Sequence, residues 1–124
     1  MFKSDRTPKR VVDLFTEPRL QFSFVPPYGS FLNLKGVAKN LNPADYKLTS
    51  YLRVNSSTWW VKPYLNPSKT TIKADGSWEI DMTTGGVDST ALEYIVYLIN
   101  PDYVPDLHIL PVEGQYITKI RVVR

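Results

Sequence analysis

Two neighbouring tryptophans, Trp59 and Trp60, stand close to Lys62 and Tyr64, and this run gathers the residue types best suited to recognising a ligand. Adjacent residues on an extended strand point to opposite faces, so only one ring of the pair can enter a core. Alternation groups Trp59 with Val61 and Pro63, and Trp60 with Lys62 and Tyr64. The charge on Lys62 assigns the second group to the solvent side. If residues 46–54 form a strand that returns against this one through the polar turn at 55–57, Tyr51 and Arg53 join that exposed face, with Asn55 at its end. Exposed aromatic rings on a sheet suit pyranose rings, whose axial C–H groups pack on a π surface while polar neighbours take the hydroxyls. The expected stacking residues are therefore Trp60, Tyr64 and Tyr51, and the expected polar ones are Lys62, Arg53 and Asn55. The competing expectation is that the N-terminal segment, the 65–70 loop or a partner subunit covers Trp60 and Tyr64.

Conventional catalysis finds little support in the remaining residues. His108 is the only histidine. It cannot make a multi-histidine metal site, and as a general base it lacks an evident nucleophile and orienting acid. Glu79 and Asp81 are spaced i, i+2, about 7 Å apart on one strand face, within the range for a glycosidase pair. Alternating acids are, however, the ordinary way a sheet face stays solvated. Asp88, Asp102, Asp106 and Glu113 fall in loops where oxygen ligands could hold calcium, but their spacing matches no calcium loop. Cysteine is absent, which removes disulfides and thiolate metal sites. Gly85-Gly86 lacks the lysine of a phosphate-binding loop. The expectation is a chain that is not an enzyme, with no catalytic residue, metal or cofactor.

The elements that must position these residues read as strands. With 124 residues, 43% of them hydrophobic and 22% charged, the chain suits one folded domain. Ten prolines and eight tyrosines disfavour helices and favour pleated surfaces. Residues 20–25 alternate, with Leu20, Phe22 and Phe24 on one face, and end at Pro26-Pro27. A strand at 31–38 contains Gly36, a sign of a bulge or a close approach. Residues 46–54 alternate most clearly, with Leu48, Leu52 and Val54 set against Lys47, Thr49, Tyr51 and Arg53. Strands at 70–73 and 77–82 flank Asp75-Gly76, a hairpin signal, and Trp78, Ile80 and Met82 face the core. Residues 92–99 are apolar on both faces, as in a strand covered on both sides; a capped helix over 88–99 is the rival. A short edge strand at 107–112 and a last strand at 116–123 complete an all-β, immunoglobulin-like antiparallel sandwich of about seven or eight strands.

The run from Trp59 to Ile99, with its Trp-Trp, Asp-Gly-Ser-Trp and Thr-Thr-Gly-Gly elements, and Pro101, Tyr103 and Pro105 after it, resembles an uncharacterised β-sandwich module found beside catalytic domains in bacterial extracellular polysaccharide-acting proteins. With residues 46–54 the likeness covers about two thirds of the chain. It implies an extracellular, non-catalytic accessory role with a polysaccharide as partner. The leading 30 residues lie outside the likeness, and residues 1–18 are expected to be a tail or docking segment, carrying Val11, Val12, Leu14 and Phe15 behind Lys3, Arg6, Lys9 and Arg10; residues 19–124 are expected to form the sandwich. That segment suggests the alternative of a structural or assembly domain packing against a neighbouring domain or identical subunits, as in a surface layer or phage particle. No nucleic-acid partner is expected at a net charge of +3, because the basic residues gather on no one face. No membrane span is expected, since the apolar run at 94–99 falls far short of the ~20 residues required, and the N-terminus does not read as a secretory signal.

Overall fold

A computed structural model describes residues 17–55, 57–64 and 68–124; the expected docking group at Val11, Val12, Leu14 and Phe15 lies outside these. Eight strands are present among them: β1 (Arg19–Phe24), β2 (Leu34–Lys39), β3 (Lys47–Arg53), β4 (Trp60–Lys62), β5 (Thr70–Thr71), β6 (Ser77–Ile80), β7 (Glu93–Ile99) and β8 (Thr118–Val123). They form two antiparallel sheets, one ordered β1-β2-β6 and the other β4-β3-β7-β8, with β5 also paired to β3. This is an all-β sandwich. The rival helix over 88–99 does not form: Asp88–Thr90 makes a single 3-10 turn and β7 follows it. No helix among the described residues is long and apolar enough to cross a membrane.

The inner faces meet in one core, where Leu34, Leu48, Leu52, Trp78, Ile80 and Val96 are all buried. Burying each such side chain contributes about 1.5–3 kcal/mol relative to exposure. Gly36 serves close packing. A Cβ at that position would overlap the Trp78 ring and the Gln21 carbonyl, so the indole of β6 lies directly on the backbone of β2. Phe24 leaves the face shared by Leu20 and Phe22, because the β1–β2 register shifts between Phe22 and Phe24 and turns the last ring outward.

β7 is buried along its whole length because it has a second cover. Tyr51, Val61, Ile95, Tyr97 and Ile99 form a smaller cluster on the other face of the larger sheet, and Trp59, Tyr103, Leu110 and Tyr116 pack against it. The last three belong to the 100–117 segment, which crosses that face as a loop. The short strand expected at 107–112 is absent, with Pro105 and Pro111 breaking the segment; it still docks on the edge of β4, where Val61 N–H donates to the Leu107 carbonyl at 2.9 Å.

The turn at Asp75-Gly76 forms, but its legs do not pair as a hairpin. Lys73 N–H donates to Ser77 O at 2.9 Å and Gly76 N–H donates to Lys73 O at 2.8 Å. Beyond that closure β5 pairs with β3 and β6 with β2, so the turn carries the chain from one sheet to the other. Gly76 has φ +89° and its carbonyl accepts from Ala38 N–H at 2.7 Å, which anchors the crossing to the end of β2.

Candidate functional site

β4 is a three-residue edge strand whose alternation decides everything near it. The β3–β4 register pairs Leu52 with Trp60, Tyr51 with Val61 and Ser50 with Lys62. Paired residues share a face, so Trp60 and Lys62 point to the inter-sheet side with Leu52, while Val61 points to the second cover with Tyr51. At β4 the opposing wall is the loop of residues 84–88. Trp60, Lys62 and Tyr64 line an open cleft of ≈ 400 Å³ together with Val54, Asn55 and residues 84–88, which falls in the about 300–1,000 Å³ range of small-molecule sites.

Two aromatic rings wall this cleft. Trp60 is 39% and Tyr64 38% exposed, and their ring centroids lie 6.4 Å apart at 55°. Trp60 is held from behind by His108, whose ring stands edge-on at 4.5 Å and 85°. His108 Nδ1 lies 3.1 Å from the Trp59 carbonyl, and because a carbonyl only accepts, Nδ1 carries the hydrogen. Asp106 fixes the histidine in turn: its Oδ1 accepts from the backbone N–H groups of His108 (2.8 Å) and Ile109 (2.9 Å). Those bonds, the His108 N–H first, lower the Asp106 carboxyl below its usual value.

Lys62 forms the cleft floor and is only 4% exposed. Its ammonium is ion-paired with Asp88 Oδ2 and donates to Thr84 Oγ1 at 3.0 Å. Asp88 Oδ2 also accepts from Gly85 N–H at 3.0 Å, so one carboxylate oxygen both neutralises the lysine and shapes the loop. A buried charge is tolerated only with such pairing. Lys62 therefore does not mark a solvent face. Trp60 and Tyr64 are half-exposed because the loop wall leaves the cleft open.

Of the six residues expected to form one face, Trp60, Tyr64, Lys62 and Asn55 line the cleft. Tyr51 and Arg53 do not. Tyr51 is fully buried under the 100–117 segment, with its hydroxyl donating to the Asp106 carbonyl at 2.6 Å, and burial pushes its phenol well above the usual range. Arg53 bonds its cross-strand partner Glu93 (Nη2 to Oε1, 3.1 Å) and lies 5.8 Å over the Trp59 ring, on the opposite face from Trp60. The physical reason is the register: Trp60 faces Leu52, so the odd-numbered residues of β3 turn away from it. Val54, Thr84, Val87, Asp88 and the supporting His108 were not expected here. The only sequence signal for the loop is the Thr-Thr-Gly-Gly run that ends in it.

The two acids weighed as a glycosidase pair have local partners. Glu79 accepts from Asn33 Nδ2 at 2.7 Å, and Asp81 Oδ1 accepts from Thr83 N–H at 2.9 Å. Among the described residues no group of three or more His, Cys, Asp or Glu side chains is placed to hold a metal ion. Comparison of the chain with protein-family models, curated proteins and solved structures finds no match to any of them.

Proposed function

We propose that this domain is a non-catalytic carbohydrate-binding module that seats a sugar ring against the joint surface of Trp60 and Tyr64. The observation that carries the reading is the pair of half-exposed rings, 6.4 Å apart, walling a cleft of ≈ 400 Å³. An apolar wall with a few polar groups at its floor and rim is the composition that pyranose recognition needs. Among the described residues the cleft is lined by one carboxylate, Asp88, already engaged by Lys62, whereas glycoside hydrolysis uses two acids about 5–10 Å apart across the sugar. A binding role beside a catalytic partner, in the extracellular setting that the resemblance implies, suits that arrangement. The test is native electrophoresis through gels carrying a panel of polysaccharides. At least one should retard the wild-type protein, and Trp60→Ala should abolish the retardation while leaving the fold intact, the ring being partly exposed; unchanged migration of the wild type in every gel sinks the proposal.

A second reading has its own observation. Phe31 and Leu32, 70% and 62% exposed, flank a groove of ≈ 590 Å³ with Phe24, Lys35 and Glu79. Exposed apolar side chains gathered at one groove suit a two-fold contact between copies. Sedimentation velocity over a hundredfold range of concentration tests it: self-association that Phe31→Ser removes favours an assembly role, and a monomer throughout dismisses it.

A further inference from the structure

We propose that the Lys62–Asp88 pair is the polar recognition element of the cleft and that it selects a neutral sugar, bonding a vicinal diol and rejecting uronates and sulfated sugars. This rests on the reading of the cleft as a sugar site.

Among the described residues, Lys62 and Asp88 are the charged ones lining the cleft, one of each sign, so that lining carries no net charge. Lys62 offers three N–H donors. Asp88 Oδ2 and Thr84 Oγ1 occupy two of them; the third has no hydrogen-bond partner among the described residues, and the ammonium lies 5.7 Å from the Tyr64 ring that walls the cleft. Asp88 receives both of its bonds on Oδ2, which leaves Oδ1 as an acceptor. A donor and an acceptor held side by side complement two adjacent hydroxyls, each of which can donate and accept. Hydrogen bonds to charged groups are the stronger kind, so the pair can orient a ring that Trp60 and Tyr64 hold only by stacking. An anionic sugar gains no unpaired cation here and meets the Asp88 carboxylate. Binding of a neutral ring should also be insensitive to salt, since no ion pair forms with the ligand.

The experiment compares galactomannan and β-glucan with polygalacturonate in affinity gels at low and high salt, using the wild type and the double variant Lys62→Met/Asp88→Asn. Replacing both charges avoids stranding one of them, and the introduced asparagine keeps an acceptor for Gly85 N–H; near-UV circular dichroism verifies the fold of the variant. The expected result is salt-independent retardation of the wild type by a neutral polymer, none by polygalacturonate, and about tenfold or more weaker binding by the folded double variant. Equal or stronger binding of polygalacturonate overturns the inference while keeping the sugar site, as does a double variant that binds the neutral polymer like the wild type. Retardation by neither class removes the sugar site and this inference with it.

Discussion

Lys62 carries the charge that suggests a wet face, yet it is among the most buried charges of the described chain. Alternation fixes which residues share a side of a strand; it says nothing about what covers that side. The grouping of Trp60, Lys62 and Tyr64 was thus legible. Their cover was not, because it depends on Asp88, 26 positions away. Removing that partner alone should be costly: Asp88→Ala leaves the ammonium of a side chain only 5% exposed without its counter-charge and should destabilise the fold by about 3–5 kcal/mol in urea unfolding. The paired replacement Lys62→Met/Asp88→Asn should cost much less, and equal losses would mean that the stranded charge is not what destabilises the single variant. Tyr51 presents the opposite error, an expected ligand contact whose hydroxyl is bonded inside the protein. Tyr51→Phe should lower stability by about 1–2 kcal/mol and leave polysaccharide retardation unchanged.

At the scale of elements, strand type was readable wherever the side-chain period was strong. β3 and β7 stand where alternation and a continuous apolar run place them, and Trp78, Ile80 and Met82 enter the core as expected. Pairing was harder to read. Asp75-Gly76 gives the local turn its geometry, but partner choice belongs to the sheets, and β3 and β2 capture the two legs separately. The same limit displaced Tyr51 and Arg53 from the site. The position of Gly36 did signal close approach, and it gives an element-level prediction. Gly36→Ala must push its methyl into the Trp78 ring and the Gln21 carbonyl, so it should destabilise by about 2–3 kcal/mol. Thermal unfolding of that variant near the wild-type midpoint would show that β2 and β6 can separate at little cost.

The whole molecule is a sandwich with an extra layer, since the 100–117 segment gives the larger sheet a second buried face rich in tyrosine. Burial raises the phenols of Tyr51 and Tyr97 in that layer, the latter from 10.0 to about 12, and of Tyr94 in the core between the sheets. Their contribution to stability is complete below the unfolded value of 10.0 and is lost as pH rises through the folded values, because the unfolded chain releases protons that the folded chain retains. Stability should therefore fall above about pH 10, with the buried tyrosines ionising only as near-UV dichroism collapses. Full tyrosinate absorbance in a still-folded protein would contradict the layer's burial. The same layer carries His108 to the back of Trp60, so the cover of one face braces the cleft on the other.

The central claim, that the cleft beside β4 is the binding site, is tested most directly by two-dimensional ¹H–¹⁵N NMR during titration with a neutral oligosaccharide that retards the protein. The shifts should gather at the Trp60 indole N–H, Asn55 and residues 84–88, with the Trp78 indole unmoved. Shifts centred on Phe31 and Leu32, or none in the cleft at saturating sugar, would contradict the account.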